Sequence, residues 1–182
     1  MLSLKKQSIK SSQHYSEVLQ LYLTAFPAYE RRDVSGFEEA IENQQKLNVC
    51  AIIEDEKFAG LISYWEFEQF TYIEHFAIAP QFRGQNIGTD AMKLFISQNT
   101  LPIVFEVETP NNDIATRRIH FYERLGFYML YNHYMQPPYK GNAFLLTMLI
   151  MSNDYKFASE NFEMVKATLY EQVYQYNPKL IT

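Results

Sequence analysis

The chain has 182 residues, 47% of them apolar and 16% aromatic, and a formal net charge of −5. It is long enough to bury a core of its own, too apolar for a disordered chain, and too acidic for a nucleic-acid-binding surface, which needs a concentrated basic face. A lone cysteine, Cys50, cannot form an internal disulfide, no zinc spacing of Cys and His occurs, so no metal is expected, and no run of roughly 18 apolar residues suggests a membrane partner.

The opening residues Met1 to Gln7 carry no apolar leader, so a soluble, cytoplasmic protein is expected. Leu2 to Ile9 reads as a first strand. Ser11 or Ser12 can cap a helix with Tyr15, Val18, Leu19, Tyr22 and Phe26 on one stripe, stopped by Pro27. After a charged link that holds Tyr29 and Glu30, Ser35 and Glu38 are spaced as a capping box for a second helix. Leu47 to Glu54, Lys57 to Phe67 and Phe70 to Ile78 follow as antiparallel strands, the first two joined at Asp55-Glu56. Alternation along the third puts Glu74, Phe76 and Ile78 on one face and His75 on the other. Ile87, Ala91, Leu94 and Phe95 recur at helical spacing. Pro102 to Glu108 is then a strand with Phe105 on one face and Glu106 and Glu108 on the other, and a helix runs from about Asn112 to Leu125. Phe127 to Gln136 and Asn142 to Met151 form a closing hairpin around Pro137-Pro138-Tyr139-Lys140-Gly141. Between Phe157 and Gln175, Phe162, Val165, Leu169 and Val173 predict an added helix whose stripe suits core packing or a homodimer surface alike. Residues 1–151 are expected to form one domain, with 152–182 a helical extension packed on it.

The stretch from Phe76 to Met92 carries the chemistry. A strand meets a helix across a turn with two glycines, Asn86 and Arg83, and no acidic residue between Pro80 and Thr89. Glycine lets backbone approach a ligand closely, Asn tolerates a left-handed conformation, and the first amides of the helix point into the turn with partial positive charge. That combination asks for phosphate or pyrophosphate. It is not a P-loop, because Gly88 is followed by Thr89-Asp90 and not by Lys-Ser/Thr, and neither spacing nor position fits a dinucleotide fingerprint.

Arg83, Gly84, Gln85, Asn86, Ile87 and Gly88 resemble the R/Q-x-x-G-x-G/A loop of the GNAT superfamily of N-acetyltransferases, with Asn86 in place of the middle glycine. Arg118 to Phe127, with Phe121-Tyr122-Glu123 and Gly126-Phe127, resembles that family's second signature, a helix closing before the next strand. The resemblance implies an α/β fold with a mixed sheet, helices on both faces and the order β-α-α-β-β-β-α-β-α-β-β. It also implies acetyl-CoA as cofactor, held by the strand end Phe76, Ala77 and Ile78, by the loop amides of Arg83 to Gly88, and by Thr89. Ala115 stands where the family often places an Asn toward the pantetheine arm, and Arg118 where it often has Ala.

Acetyl transfer to an amine needs a held cofactor, a deprotonated amine and a proton for the departing thiolate. An ammonium with a pKa of about 10.4 costs roughly 4–5 kcal/mol to deprotonate at pH 7, the work of a nearby carboxylate acting directly or through water. Glu74 is the first candidate, since the family commonly carries its water-activating acid on this strand; the bland reading is a pairing with a surface cation. Tyr122 is the expected acid, a phenol that can donate to the thiolate. Glu106 and Glu108 could hold the acceptor, with Tyr29 and Tyr139 among aromatics suited to a cationic or ring-bearing amine, although a solvated strand face and ordinary packing explain them as well. Cys50 lacks the neighbours of a nucleophile. The expected acceptor is a small-molecule or peptide amine. A rival from another class is a catalytically silent coenzyme A sensor, kept open by Asn86, Ala115 and Arg118.

Overall fold

A computed structural model describes residues 1–7, 12–43, 47–139 and 144–177, with only the backbone of Asn43, Tyr131 and Asn132. Ile9, Ser11, Lys140, Gly141 and Asn142, which figured in the expected strands, cap and hairpin, lie outside the described residues. The chain divides into two compact units, Met1–Ile103 and Val104–Thr182.

The first unit runs β1 (Ser3–Gln7), α1 (Tyr15–Ala25), α2 (Val34–Asn43), β2 (Leu47–Glu54), β3 (Lys57–Glu66), β4 (Thr71–Ile78) and α3 (Ile87–Gln98). Its strands pair antiparallel in chain order. Seven of the eight residues of β2 are buried, as expected of a strand covered on both faces. Tyr22 of α1 and Phe26 just after it lie against His75, with ring centroids 4.9 and 4.5 Å away. On the other face Ile52, Ala59 and Ala91 form a core with Phe76, Ile78, Phe82 and Ile87 packed against it. β2 and β3 are joined by Asp55 and Glu56, both at positive φ (45° and 65°), which matches the right-handed twist of a two-residue hairpin. α2 departs from the expected capping box: Asp33 Oδ1 accepts from the Gly36 amide at 2.7 Å, while Glu38 takes the Tyr15 hydroxyl at 2.8 Å.

A bulge in β4 decides where its side chains go. Ser63 pairs with His75 but Tyr64 pairs with Ile73, so Glu74 is the extra residue of a bulge against β3. Glu74 therefore does not share a face with Phe76 and Ile78 as strict alternation predicts. It turns toward the segment before α2, the same segment that His75 meets. Close by, Gly60 pairs with Ile78, and a Cβ there would stand 2.4 Å from the Ala77 carbonyl oxygen. Only glycine lets β3 approach the end of β4 so tightly.

The second unit holds β5 (Ile103–Glu108), whose first residue closes the first unit, then α4 (Asp113–Glu123), β6 (Tyr128–Gln136), β7 (Leu146–Ser152), α5 (Tyr155–Glu160) and α6 (Phe162–Thr168). β7 lies between β5 and β6, antiparallel to both. Asn112 caps α4, its side chain accepting from the Ile114 and Ala115 amides at 3.0 and 2.9 Å. Gly126, at φ 86°, ends it. The single helix expected over Phe157 to Gln175 is broken at Asn161, whose side chain donates to the Phe157 carbonyl at 2.8 Å, and it ends in a π turn over Leu169–Val173. Its stripe is buried within the unit, so it serves the core: Phe162, Val165, Leu169 and Val173 are each at most 9% exposed. Among the described residues no helix is long and apolar enough to cross a membrane.

Candidate functional site

After Ile78 the chain leaves β4 through Ala79 and one 3-10 turn, Pro80–Phe82, and enters the expected loop. Gly84 (φ 75°) and Asn86 (φ 64°) are both left-handed, and open space surrounds the position a Gly84 Cβ would take. Asn86 is the residue before α3, yet its side chain does not cap that helix and its amide group donates to Asp90 Oδ1 at 3.4 Å. Among the described residues no side-chain cap is on the first turn of α3, and the dipole of a twelve-residue helix stands behind it. Arg83 is exposed and tied by its Nε to the Ile78 carbonyl at 2.9 Å, and Gln85 is tied to the Gln81 carbonyl at 2.8 Å. Left-handed backbone, open space at Gly84 and an uncapped helix start fit a pyrophosphate. Phe76 and Ile78 line the α3 side of the strand end.

Glu74 lies in a buried polar cluster of the same unit. Arg32 Nη1 donates to its Oε1 and Trp65 Nε1 to its Oε2 at 3.1 Å, with the Arg32 guanidinium 5.5 Å from the Trp65 ring centre. The side chains of Glu74 and Arg32 are 1% and 11% exposed. Burial alone would raise the Glu74 carboxyl, but Arg32, His75 and the two donors outweigh it and hold the group below the ordinary carboxylate value. His75 Nε2 donates to the Glu30 carbonyl at 3.3 Å, which leaves Nδ1 to the Ser63 hydroxyl. Burial foremost depresses its pKa, against the opposing pull of Glu74.

Tyr122 is 8% exposed at the end of α4, its ring 4.4 Å from that of Phe105 and flanked by Phe121 and Phe127. Burial pushes its phenol up to about 12, with Arg118 pulling weakly the other way. The next residue along β5, Glu106, points to the opposite face by strand alternation. Tyr134 donates to its Oε1, and Gln136 and Tyr174 to its Oε2, the last at 2.5 Å. Glu106 and Glu74 are both half-buried as residues, and the Glu74 side chain is the one locked in an ion pair.

The other candidates separate by exposure. Glu108 pairs with Arg118 at 3.4 Å on the surface. Tyr29 is 45% exposed, whereas Tyr139 is buried with its ring 5.1 Å from that of Tyr174. Ala115 is buried in the first turn of α4. Burial pushes the Cys50 thiol up to about 11, which leaves it inert as a nucleophile at neutral pH. Among the described residues no three His, Cys, Asp or Glu side chains could hold a metal. Sequence reasoning missed Arg32, Gln136 and Tyr174; only Tyr174 left a signal, as a neighbour of the apolar stripe at Val173.

A family model described as "Acetyltransferase (GNAT) family" matches residues 15–127. No curated protein matches the chain. A solved structure from Bacteroides thetaiotaomicron, described as a GNAT-family acetyltransferase, is 33% identical over 95% of this chain and 99% of that one, with a TM-score of 0.89. A GNAT family acetyltransferase from Elizabethkingia anophelis with acetyl-CoA bound shares 13% identity over 83% and 96% of the two chains, at a TM-score of 0.56. The ribosomal-protein-S18-alanine N-acetyltransferase from Escherichia coli shares 16% over 84% and 92%, at 0.58. The first of these carries the α/β fold with an open mixed sheet over nearly the whole chain; the other two show the fold alone.

Proposed function

Because the chain belongs to the GNAT acetyltransferase family, which uses acetyl-CoA, we propose that it transfers acetyl directly to a primary amine of a small molecule or peptide. The carrying observation is Glu106, a half-buried carboxylate held by Tyr134 and Gln136. A held negative charge suits an acceptor that arrives as an ammonium better than an alcohol or a thiol.

Acetyl-CoA supplies the acyl group as a thioester. The amides at the start of α3, with Gly84 and Asn86 left-handed before them, bind its diphosphate. Phe76, Ala77 and Ile78 offer the strand end alongside, and Ala115 offers a small side chain in place of a polar contact. Glu106 takes the role of acceptor carboxylate in preference to Glu74, whose side chain is 1% exposed and already ion-paired with Arg32, and so is poorly placed to receive a proton from a diffusing substrate. Glu74 then serves to hold Arg32 and Trp65 in place. Tyr122 Oη donates its proton as thiolate charge develops, since a phenol raised to about 12 is protonated throughout the neutral range.

The test is thiol release from acetyl-CoA against a panel of polyamines, aromatic amines, amino acids and peptide N-termini, alongside matched alcohols and thiols. Release on amines is expected. Release confined to alcohols or thiols would overturn the amine reading, and saturable coenzyme binding without release on any acceptor would favour the binding module.

A further inference from the structure

Both oxygens of Glu106 are held by donors that lie outside residues 15–127, the span the family model matches. Tyr134 and Gln136 come from β6. Tyr174 closes the π turn over Leu169–Val173, 68 residues away, and its hydroxyl also receives the Gln136 amide at 2.8 Å.

The π turn explains how Tyr174 gets there. In a regular α-helix a residue five positions on stands about 140° around the axis, so Leu169 and Tyr174 could not both face inward. The Tyr174 amide instead bonds the Leu169 carbonyl at 3.0 Å, inserting one residue into the turn, and Leu169 and Tyr174 are 0% and 7% exposed. The turn is fastened a second time where the Tyr170 hydroxyl donates to the Met135 carbonyl on β6 at 2.5 Å. Such a turn costs regular hydrogen bonding, and what it delivers is a phenol on a carboxylate. Packing alone would be served as well by phenylalanine.

We propose that Tyr174 is a positioning residue, which holds the Glu106 carboxylate ionised and oriented for a cationic acceptor. The inference rests on Glu106 being the acceptor carboxylate. A hydrogen bond to the charged form favours that form, so the Tyr174 hydroxyl lowers the proton affinity of Glu106 and narrows its orientations. The segment after β7 is then part of the acceptor site's support and not only a cover for the core.

The test uses the full chain, labelled with 13C at glutamate side chains, wild type and Tyr174→Phe. We expect the Glu106 carboxyl to titrate at higher pH in the variant; superimposable titrations would overturn the proposal. An isosteric second variant, fluorotyrosine at 174, makes the phenol a stronger donor and should move the titration the other way, which keeps the test open if Tyr174→Phe does not fold. On whichever panel amine turns over, Tyr174→Phe should raise the acceptor KM about tenfold and move the acidic limb of kcat/KM upward, with KM for acetyl-CoA unchanged. In a Glu106→Gln background the same substitution should add nothing. A lowered Tm with an unmoved acidic limb would mean a merely structural tyrosine. If wild-type protein releases no thiol on any amine, the amine reading falls, while the carboxyl titration still decides the role of Tyr174.

Discussion

Tyr122, the proposed donor, sits among three aromatic rings, and burial pushes its phenol up to about 12. Tyr122→Phe should lower kcat by ~10²–10⁴ with KM for acetyl-CoA little changed, as steady-state kinetics would read. The two carboxylates should respond differently to amide substitution. Glu106→Gln should lower kcat/KM by ~10²–10³ on a near-native fold. Glu74→Gln leaves the largely buried Arg32 side chain without its Glu74 counter-charge and should cost about 3 kcal/mol in a urea melt, before any effect on the rate. His75 sets a pH dependence. Its folded pKa lies below the ordinary 6.5, so the unfolded chain takes up the proton first as pH falls. Stability from the neutral ring is complete above about 6.5 and is lost as pH drops toward the folded value. Glu74 acts with the same sign lower down, where its stabilisation, present above the ordinary carboxyl value, is lost as pH falls through the depressed one. Urea midpoints should therefore be lower at about pH 5.5 than at about pH 7.5, a gap that His75→Gln narrows.

The element proposed to carry cofactor binding is the junction of β4 with α3. Its amides stay available because Asn86 adopts φ 64° and spends its side chain on Asp90 instead of capping the helix. A β-branched residue at that φ is strained, while glycine is at ease. Calorimetry should find coenzyme A binding abolished in Asn86→Val and kept or tightened in Asn86→Gly; equal affinities in the two variants would count against the loop as the diphosphate site. The β4 bulge matters in the same way. One extra residue at Glu74 turns a surface candidate into a buried ion pair, and it leaves the Phe76 and Ile78 face to α3.

For the whole molecule the consequence is linkage. A ligand that binds only the folded chain stabilises it by mass action, about 2.7 kcal/mol at one hundred times its Kd. For a chain of this length that corresponds to a Tm rise of roughly 5–10 °C with acetyl-CoA. A thermal scan with and without the cofactor would measure it, and Asn86→Val should show no rise.

The local geometry that a residue takes from its own backbone or immediate neighbours was legible in the sequence. Gly84, Asn86 and the uncapped start of α3 are chemistry written in consecutive positions, as is the run Phe121 to Phe127 around Tyr122. The element order followed from periodicity and turn residues. What the tertiary structure alone decided is who meets the carboxylates. Arg32 reaches Glu74 from 42 residues away, and Tyr174 reaches Glu106 from 68. A register shift in β4 and a π turn near the C-terminus aim those side chains, and both depend on which strand or helix face the chain returns to. Period-2 and period-3.6 patterns carry no mark of an inserted residue, so the bulge and the π turn, and the partners they supply, became visible only in the folded chain.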